Sequence, residues 1–153
     1  RQVIRGLNGR DRDISFAVVT QQEHFKHFSG LQQVSLFAAI TEEQLVHLYT
    51  TSALLLLPLL DATANNTMLE AMACGLPVVA SDAGGIRMYG QAGGAVFVPR
   101  GDAEMMTRES LEILNDEGHR QSLSREARRN AEQFDWSVVA TRMQQLYKHL
   151  FGN

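Results

Sequence analysis

The sequence predicts an α/β fold, in which a doubly wound parallel sheet carries helices on both faces. Apolar, β-branched runs recur along the 153 residues, and helical patterns separate most of them. The runs are nearly continuous in apolar residues, which is typical of strands buried on both faces of a parallel sheet. Strands that alternate with helices of this length connect by right-handed crossovers. We therefore expect one layered domain over residues 1–153.

The first half of the chain supplies three predicted strands. Residues 14–20, 34–40 and 53–60 are apolar runs of strand length. Thr41 and Gln44 have the spacing of a capping box, in which each side chain bonds the backbone N–H of the other residue. A helix is therefore predicted to begin after Thr41 and to fill the space before the third strand.

The second half repeats the alternation with clear boundaries. Gly75 is predicted to end a helix, because glycine readily adopts the left-handed conformation that terminates helices. Asp102 is predicted to cap a later helix. The predicted elements are strands over residues 77–81 and 95–98, helices over residues 67–74, 117–133 and 137–150, and the helix that Asp102 caps, with Ala103, Met106, Ser110 and Ile113 on one face.

Composition excludes several classes of protein. A net charge of −3 provides no basic field, so we expect neither nucleic acid nor membrane contact. The apolar run at residues 53–60 is shorter than the roughly 20 residues that a membrane span needs. Cys74 is the only cysteine, which favours a reducing, cytoplasmic location. The five histidines have no partners at metal-ligand spacing, so no metal site is predicted.

The loop at residues 61–67 is the most informative segment. Doubly wound sheets bind ligands beyond the carboxyl ends of their strands, and this loop joins such an end to a helix. The first N–H groups of a helix and its dipole favour an anion such as phosphate. Asn66 and Thr67 add side-chain donors. Plain helix capping by Asn66 or Thr67 is the alternative.

Glu70 lies in the first turn of the same predicted helix. A carboxylate there can accept hydrogen bonds from two neighbouring hydroxyls, as a ribose presents them. Thr67 and Glu70 also have capping-box spacing, in which Glu70 bonds the backbone N–H of Thr67. Spacing alone leaves both interpretations open.

The segment LEAMACGLPVVASDAGG, residues 69–85, closely resembles the C-terminal domain signature of family 4 glycosyltransferases with the GT-B fold. The similarity extends to residues 45–60, 98–102 and 134–147. The resemblance implies the Rossmann-like C-terminal half of a GT-B enzyme. Such a domain binds a nucleotide diphosphate sugar as donor substrate, without a metal or other cofactor, and the enzyme transfers the glycosyl group to an acceptor with retention.

The resemblance also implies roles for individual residues. The loop before the helix holds the donor diphosphate through backbone amides, and Glu70 binds the ribose hydroxyls. Ile40 lies beside the nucleotide base, with simple core packing as its alternative. Gly84 and Gly85 line the donor site, and an ordinary turn between a strand and a helix is the alternative for these two residues.

The sequence departs from the family pattern in the donor-sugar region. Ala62 stands where the family carries a glutamate that contacts the donor sugar. The adjacent Asp61 is the candidate catalytic carboxylate, and Asn65 and Asn66 are candidate donors to the sugar or phosphate. The donor sugar and base stay open, and a nucleotide-binding homologue without activity is an alternative.

The family's diphosphate-binding arginine and lysine, and its N-terminal acceptor domain, precede the segment that begins here at Arg1. We therefore expect an excised domain that is inactive alone, because the leaving diphosphate needs stabilising positive charge. Arg87 and Arg100 are candidates for the cleft, with solvated positions as the alternative. Trp136 and Tyr147 are expected to pack against the missing domain.

A receiver-like signalling domain is the alternative from a different functional class, because Asp61 follows a buried third strand as a phospho-acceptor would. Such a domain needs acidic residues after its first strand to bind magnesium and a lysine after its fifth. The chain carries Thr-Gln-Gln at residues 20–22 and Pro-Arg at residues 99–100 instead. The glycosyltransferase interpretation is therefore preferred.

Overall fold

The computed structural model describes residues 1–11, 13–63 and 65–152, and strands and helices alternate along them in the predicted order. A short 3₁₀ helix over Gln22–Phe28 lies between the first two strands. The remaining elements are α1 (Gln2–Asn8), β1 (Phe16–Val19), β2 (Val34–Phe37), α2 (Glu42–Thr51), β3 (Leu55–Leu57), α3 (Asn66–Ala73), β4 (Val78–Asp82), α4 (Arg87–Gly90), β5 (Ala95–Pro99), α5 (Ala103–Asn115), α6 (Glu117–Glu132) and α7 (Trp136–Phe151).

The first three strands are shorter than their apolar runs predicted, and two of them, β2 and β3, end three residues before the end of the run. β3 ends at Leu57, where Pro58 follows with no N–H to continue the ladder. β2 ends at Phe37, two residues before Ala39 turns the chain at φ +51°. The polypeptide therefore leaves both strands early, and longer loops form at their carboxyl ends.

The strands pair in parallel, as predicted, and their hydrogen bonds divide them into two sheets. β1 and β2 form a two-stranded sheet in which Phe16 is opposite Val34. β4 is the centre of a three-stranded sheet, in which Val78 is opposite Leu55 on β3 and Ala95 on β5. The carboxyl ends of β3, β4 and β5 therefore lie along one edge.

Helices cover both faces of the three-stranded sheet, which confirms the doubly wound arrangement. Val78 and Ala80 of β4 pack with α3 and α6, whereas Val79 faces α1 and α5. Alternate residues of β4 thus belong to different cores, as expected for a strand buried on both faces. The helix residues buried in these two cores include Met68, Met72 and Ala127 on one face and Leu7, Met106 and Ile113 on the other.

α6 is locked against the turn that precedes β5. The Asn130 side chain donates hydrogen bonds to the carbonyls of Tyr89 (2.7 Å) and Gly93 (3.1 Å). Gly94, at φ +80°, lies so close to α6 that a Cβ atom there would be 2.3 Å from both the Cα and the backbone nitrogen of Ala127. Glycine is required at this contact by both space and backbone conformation.

The sequence-predicted caps at Thr41 and Asp102 are confirmed. Thr41 and Gln44 form the reciprocal capping box of α2. The Asp102 carboxylate accepts the Met105 N–H at 2.8 Å at the start of α5. These bonds satisfy N–H groups that the helices leave without an internal partner.

The final helix, α7, has no buried residue, and Trp136 and Tyr147 are 84% and 55% exposed. Their packing against a further domain stays a prediction. Within the described ranges, no helix combines the length and apolar character needed to cross a membrane.

Candidate functional site

Two loops meet at the carboxyl edge of the three-stranded sheet. The Gly85 N–H donates a hydrogen bond of 2.8 Å to the Ala62 carbonyl, which joins the β4–α4 turn to the β3–α3 loop. Gly84 has φ +56°, and a Cβ atom there would be 2.0 Å from the Ala62 oxygen and 2.7 Å from Asp61 Oδ1. The structure therefore brings together Asp61, Gly84 and Gly85, which the sequence placed in one site.

The start of α3 is capped by Asn65, whose Oδ1 accepts the Met68 N–H at 2.9 Å. The helix begins at Asn66, one residue earlier than predicted. The alternative that Asn66 or Thr67 caps the helix is therefore wrong, because both residues lie inside its first turn. Both are exposed, and Ala64 of this loop lies outside the described residues.

Glu70 is held by a residue of another helix. The Tyr49 hydroxyl of α2 donates a hydrogen bond of 3.3 Å to Glu70 Oε2. Thr67 is a helical residue, not the N-cap, so the capping-box interpretation of Thr67 and Glu70 is wrong. Glu70 is exposed and, because α3 begins at Asn66, it lies in the second turn of the helix and not in the first turn as predicted, while Tyr49 holds one of its oxygens.

Tyr49 is a site residue that sequence reasoning missed. Its spacing from Leu45 indicates the apolar face of α2, and its ring is indeed 7% exposed and packed with Ala71 and Leu76. A buried tyrosine hydroxyl usually finds a hydrogen-bond partner, which was the available signal. The partner itself lies 21 positions along the chain, where helical periodicity gives no information.

The Tyr49 phenol is protonated throughout the physiological range. Burial is the main cause that raises the pKa of Tyr49 to about 12, and the negative charge and hydrogen bond of Glu70 raise it further. A side-chain hydrogen bond with Thr67 acts in the opposite direction. The phenol therefore acts as the donor toward Glu70 and joins α2 to α3.

Alkaline conditions are expected to destabilise the wild-type chain more steeply than the Tyr49→Phe variant. The phenol has a pKa of 10.0 without the fold and about 12 within it, so in this interval the folded state keeps a proton that the unfolded state releases. The protonated Tyr49 phenol therefore makes its full contribution to the free energy of unfolding below pH 10, and this contribution is lost as the pH rises through 12. Denaturant unfolding from pH 9 upward measures the difference in slope. The exposed Tyr147→Phe variant is the control, and equal slopes for wild type and Tyr49→Phe would contradict the expectation.

Charged groups flank the same edge. The Asp61 carboxylate accepts the N–H of Ala62 at 2.9 Å, and the Arg100 guanidinium donates to the Leu60 carbonyl at 3.1 Å. Arg87 instead pairs with Asp82 at 2.8 Å and lies over the Phe97 ring. Arg100 thus brings positive charge to the start of the β3–α3 loop, whereas the charge of Arg87 is paired at the surface.

Ile40 follows β2 and immediately precedes the Thr41 cap of α2. Its side chain is half-buried, and it belongs to the loop at the carboxyl end of the two-stranded sheet. The position is consistent with either of its sequence-based interpretations. Among the described residues, no group of three or more histidine, cysteine or acidic side chains is arranged to hold a metal ion.

A separate groove of about 690 Å³ lies at the other end of α3. It is open, and it includes Cys74 and Gly75, which follow the last turn of the helix. It does not include the Asp61, Glu70 or Gly84 neighbourhood. The residues lining it are Thr50, Ala73, Cys74, Gly75, Ser124, Arg125, Arg128 and Arg129.

Comparisons with known sequences identify the family. The family model Glycosyl transferases group 1 matches residues 2–116. Sulfoquinovosyl transferase SQD2 of Arabidopsis thaliana is 32% identical over 123 residues, which are 77% of this chain and 24% of that protein. D-inositol 3-phosphate glycosyltransferase of Salinispora arenicola is 33% identical over 109 residues, 70% of this chain and 24% of that protein. The chain thus spans about a quarter of the length of these relatives.

Solved structures show the same architecture. Sucrose-phosphate synthase from Thermosynechococcus elongatus superposes with a TM-score of 0.78 at 25% identity, over 99% of this chain and 43% of that one. HepE of Anabaena, solved with UDP and glucose, superposes with a TM-score of 0.78 at 18% identity, over 97% and 44% of the two chains. The fold is therefore the Rossmann-like α/β fold of GT-B glycosyltransferases. Because the family model matches residues 2–116, which are most of this chain, the chain belongs to the glycosyl transferases group 1 family.

Proposed function

We propose that this chain is the donor-binding part of a retaining glycosyltransferase and binds a nucleotide diphosphate sugar at the carboxyl edge of its three-stranded sheet. The observation that carries the proposal is the hydrogen bond that joins the Gly84–Gly85 turn to the β3–α3 loop, which leads directly into the helix that carries Glu70. The structures of HepE with UDP and with UDP-glucose support a donor of this class. A cytoplasmic location is part of the same proposal and is supported by the single cysteine.

The diphosphate is assigned to the start of α3. The N–H groups of Asn66 and Thr67 occupy the first turn of a helix, where unpaired donors and the helix dipole attract an anion. The side-chain oxygen of Asn65, Oδ1, accepts the Met68 N–H, so the side-chain nitrogen Nδ2 is left as a donor. Arg100 adds positive charge at the start of the same loop. Together these groups would stabilise the charge that develops on the leaving nucleoside diphosphate.

The ribose is assigned to Glu70. Its carboxylate is exposed and has acceptor capacity beyond the hydrogen bond from Tyr49, which suits two adjacent hydroxyls. The base is assigned to the side of Ile40, and the Gly84–Gly85 turn allows the donor to approach the backbone closely. Asp61 is the carboxylate proposed for the donor sugar.

Acceptor binding is assigned to a second domain. The chain spans under half the length of the solved structures it matches, so the activity of the whole enzyme is part of the proposal. Without that domain, and without the arginine and lysine that the family carries before this segment, we expect the isolated chain to bind the donor but not to transfer sugar.

Ala62 favours a second candidate, a homologue that binds nucleotide without transferring sugar. It lacks the carboxylate that the family places against the donor sugar. Sugar transfer by a protein that includes the acceptor domain distinguishes the two candidates. Transfer that is lost in an Asp61→Asn variant would favour the enzyme and assign the missing carboxylate to Asp61.

Glu70→Ala is expected to weaken nucleotide binding by about 10- to 100-fold, because hydrogen bonds to a charged group contribute about 1.5–3 kcal/mol. Calorimetric titration of the 153-residue chain with UDP, GDP and ADP checks this result and identifies the base. Glu104→Ala is a matched control, because Glu104, like Glu70, is an exposed glutamate of a helix.

The two possible failures of this experiment have different meanings. No binding of any of the three nucleotides by the folded chain would contradict the donor-site proposal as a whole. Binding that is unchanged in Glu70→Ala would leave nucleotide binding in place and remove Glu70 from the ribose site.

A further inference from the structure

Tyr49 reaches Glu70 from a helix that is separate from the one carrying the carboxylate. Its ring is fixed among Ala71 and Leu76, and its hydroxyl extends to Glu70 Oε2 at 3.3 Å. Glu70 itself is exposed on the second turn of α3. The donor, Tyr49, is therefore buried and held by its neighbours, whereas the acceptor carboxylate belongs to the exposed side chain of Glu70.

A fixed donor restricts the conformations that the Glu70 side chain adopts. A glutamate side chain loses up to about 1.5–2 kcal/mol of rotamer entropy when it is immobilised. Ordering that is already present before the ligand arrives is not lost again on binding. The hydrogen bond to Oε2 leaves Oε1 and the remaining acceptor sites free for the ligand.

The Tyr49 hydroxyl is always the donor in its hydrogen bond with Glu70. The phenol keeps its proton at physiological pH and donates to the ionised carboxylate. Tyr49 therefore holds the residue assigned to the ribose from a helix outside the donor-binding loops.

We propose that Tyr49 is a positioning residue that orients the Glu70 carboxylate toward the ribose, so that discrimination between ribose and 2′-deoxyribose depends on the Tyr49 hydroxyl. The proposal rests on the assignment of Glu70 to the ribose and extends it to a residue outside the donor-binding loops. Tyr49 is not assigned a contact with the nucleotide itself.

Tyr49→Phe isolates the hydroxyl, because phenylalanine keeps the ring that packs against Ala71 and Leu76. The ribonucleotide that binds best among UDP, GDP and ADP is compared with its 2′-deoxy form by calorimetry. We expect Tyr49→Phe to weaken ribonucleotide binding by about 3- to 10-fold, the effect of one ordinary hydrogen bond. Binding of the 2′-deoxy form is expected to change little, so the preference for ribose decreases.

Tyr89→Phe is the matched control, because Tyr89 is a half-buried tyrosine whose ring packs on Phe134 away from Glu70. It is expected to leave both affinities unchanged. A ribose preference that is lost in Glu70→Ala but intact in Tyr49→Phe would overturn the role of Tyr49 and leave the proposed function standing. A preference that survives Glu70→Ala would overturn the assignment of Glu70, and the role of Tyr49 with it.

A second measurement avoids any change to Tyr49. With tyrosine labelled with carbon-13 at Cζ, the Tyr49 resonance is expected to shift in Glu70→Gln, which removes the charge at the acceptor. The same resonance is expected to shift when the nucleotide binds to the wild-type chain. A Tyr49 signal that stays constant in both cases would overturn the proposal even if Tyr49→Phe failed to fold.

Discussion

Gly84→Ala is expected to weaken nucleotide binding by about 10- to 100-fold, because a displaced loop loses hydrogen bonds to the charged diphosphate, which contribute about 1.5–3 kcal/mol. The new Cβ atom would lie 2.0 Å from the Ala62 carbonyl oxygen and 2.7 Å from Asp61 Oδ1. The Ala62 carbonyl also accepts the Gly85 N–H, so moving it breaks the bond that joins the two loops. The calorimetric titration described for Glu70 measures the loss.

The matched control for this variant is Gly101→Ala. Gly101 has φ +83°, and nothing lies within 4 Å of the position that its Cβ would take. It therefore introduces the left-handed backbone cost of about 1–2 kcal/mol without a steric clash. Equal nucleotide affinity in the two variants would show that the close contact between the loops does not organise the site.

Gly94→Ala is expected to lower the free energy of unfolding by about 2–5 kcal/mol. Overpacking costs about 1–3 kcal/mol and the left-handed conformation about 1–2 kcal/mol more. The Cβ atom would be 2.3 Å from backbone atoms of Ala127, so relief requires the whole of α6 to move. That movement would also strain the Asn130 hydrogen bonds to Tyr89 and Gly93. Denaturant unfolding monitored by circular dichroism gives the value.

Gly30→Ala supplies the comparison for stability. Gly30 has φ +75° and no neighbouring atom within 4 Å of its Cβ position, so only the backbone cost applies. We expect Gly94→Ala to be the more destabilised variant by at least about 1 kcal/mol, the lower end of the overpacking cost. Equal losses in the two variants would mean that α6 accommodates the added methyl group.

Features that depend on neighbours in sequence were predictable, and the caps show why. The Thr41–Gln44 capping box and the Asp102 cap form between residues three apart, so their spacing is visible in the chain. The same reasoning failed at α3, where Asn65, Asn66 and Thr67 are all acceptable caps. The conformation of the preceding loop makes Asn65 the N-cap of α3, and its residue type does not distinguish it from Asn66 and Thr67 as a cap.

Features that depend on distant contacts were not predictable from the residues alone. Tyr49 appears in the sequence as one more residue of an apolar helix face, and its partner Glu70 lies on a different helix. The division of the strands into two sheets likewise follows from packing between elements, which strand periodicity does not report.

Ala62 shows that a contact made by the main chain cannot be predicted from the type of residue. Its side chain marks a departure from the family pattern, but the structure uses its backbone carbonyl to hold the Gly85 N–H. A main-chain contact of this kind is available to any residue type, so the identity of the residue carries no signal for it. The two candidate functions therefore differ in a side chain, whereas the geometry of the loop is common to both.

The separation of the strands into two sheets implies unequal resistance to local opening. No residue of β1 or β2 is fully buried, whereas Val78–Ser81 of β4 are all buried. Opening the first sheet thus exposes little core, and regions with few buried apolar contacts open at the smallest free-energy cost. Ile40 follows the strand of that less protected sheet, and Glu70 lies on a helix packed against the protected one. We therefore expect the Ile40 side of the proposed donor site to adjust its shape to a ligand, while the Glu70 side keeps a constant geometry.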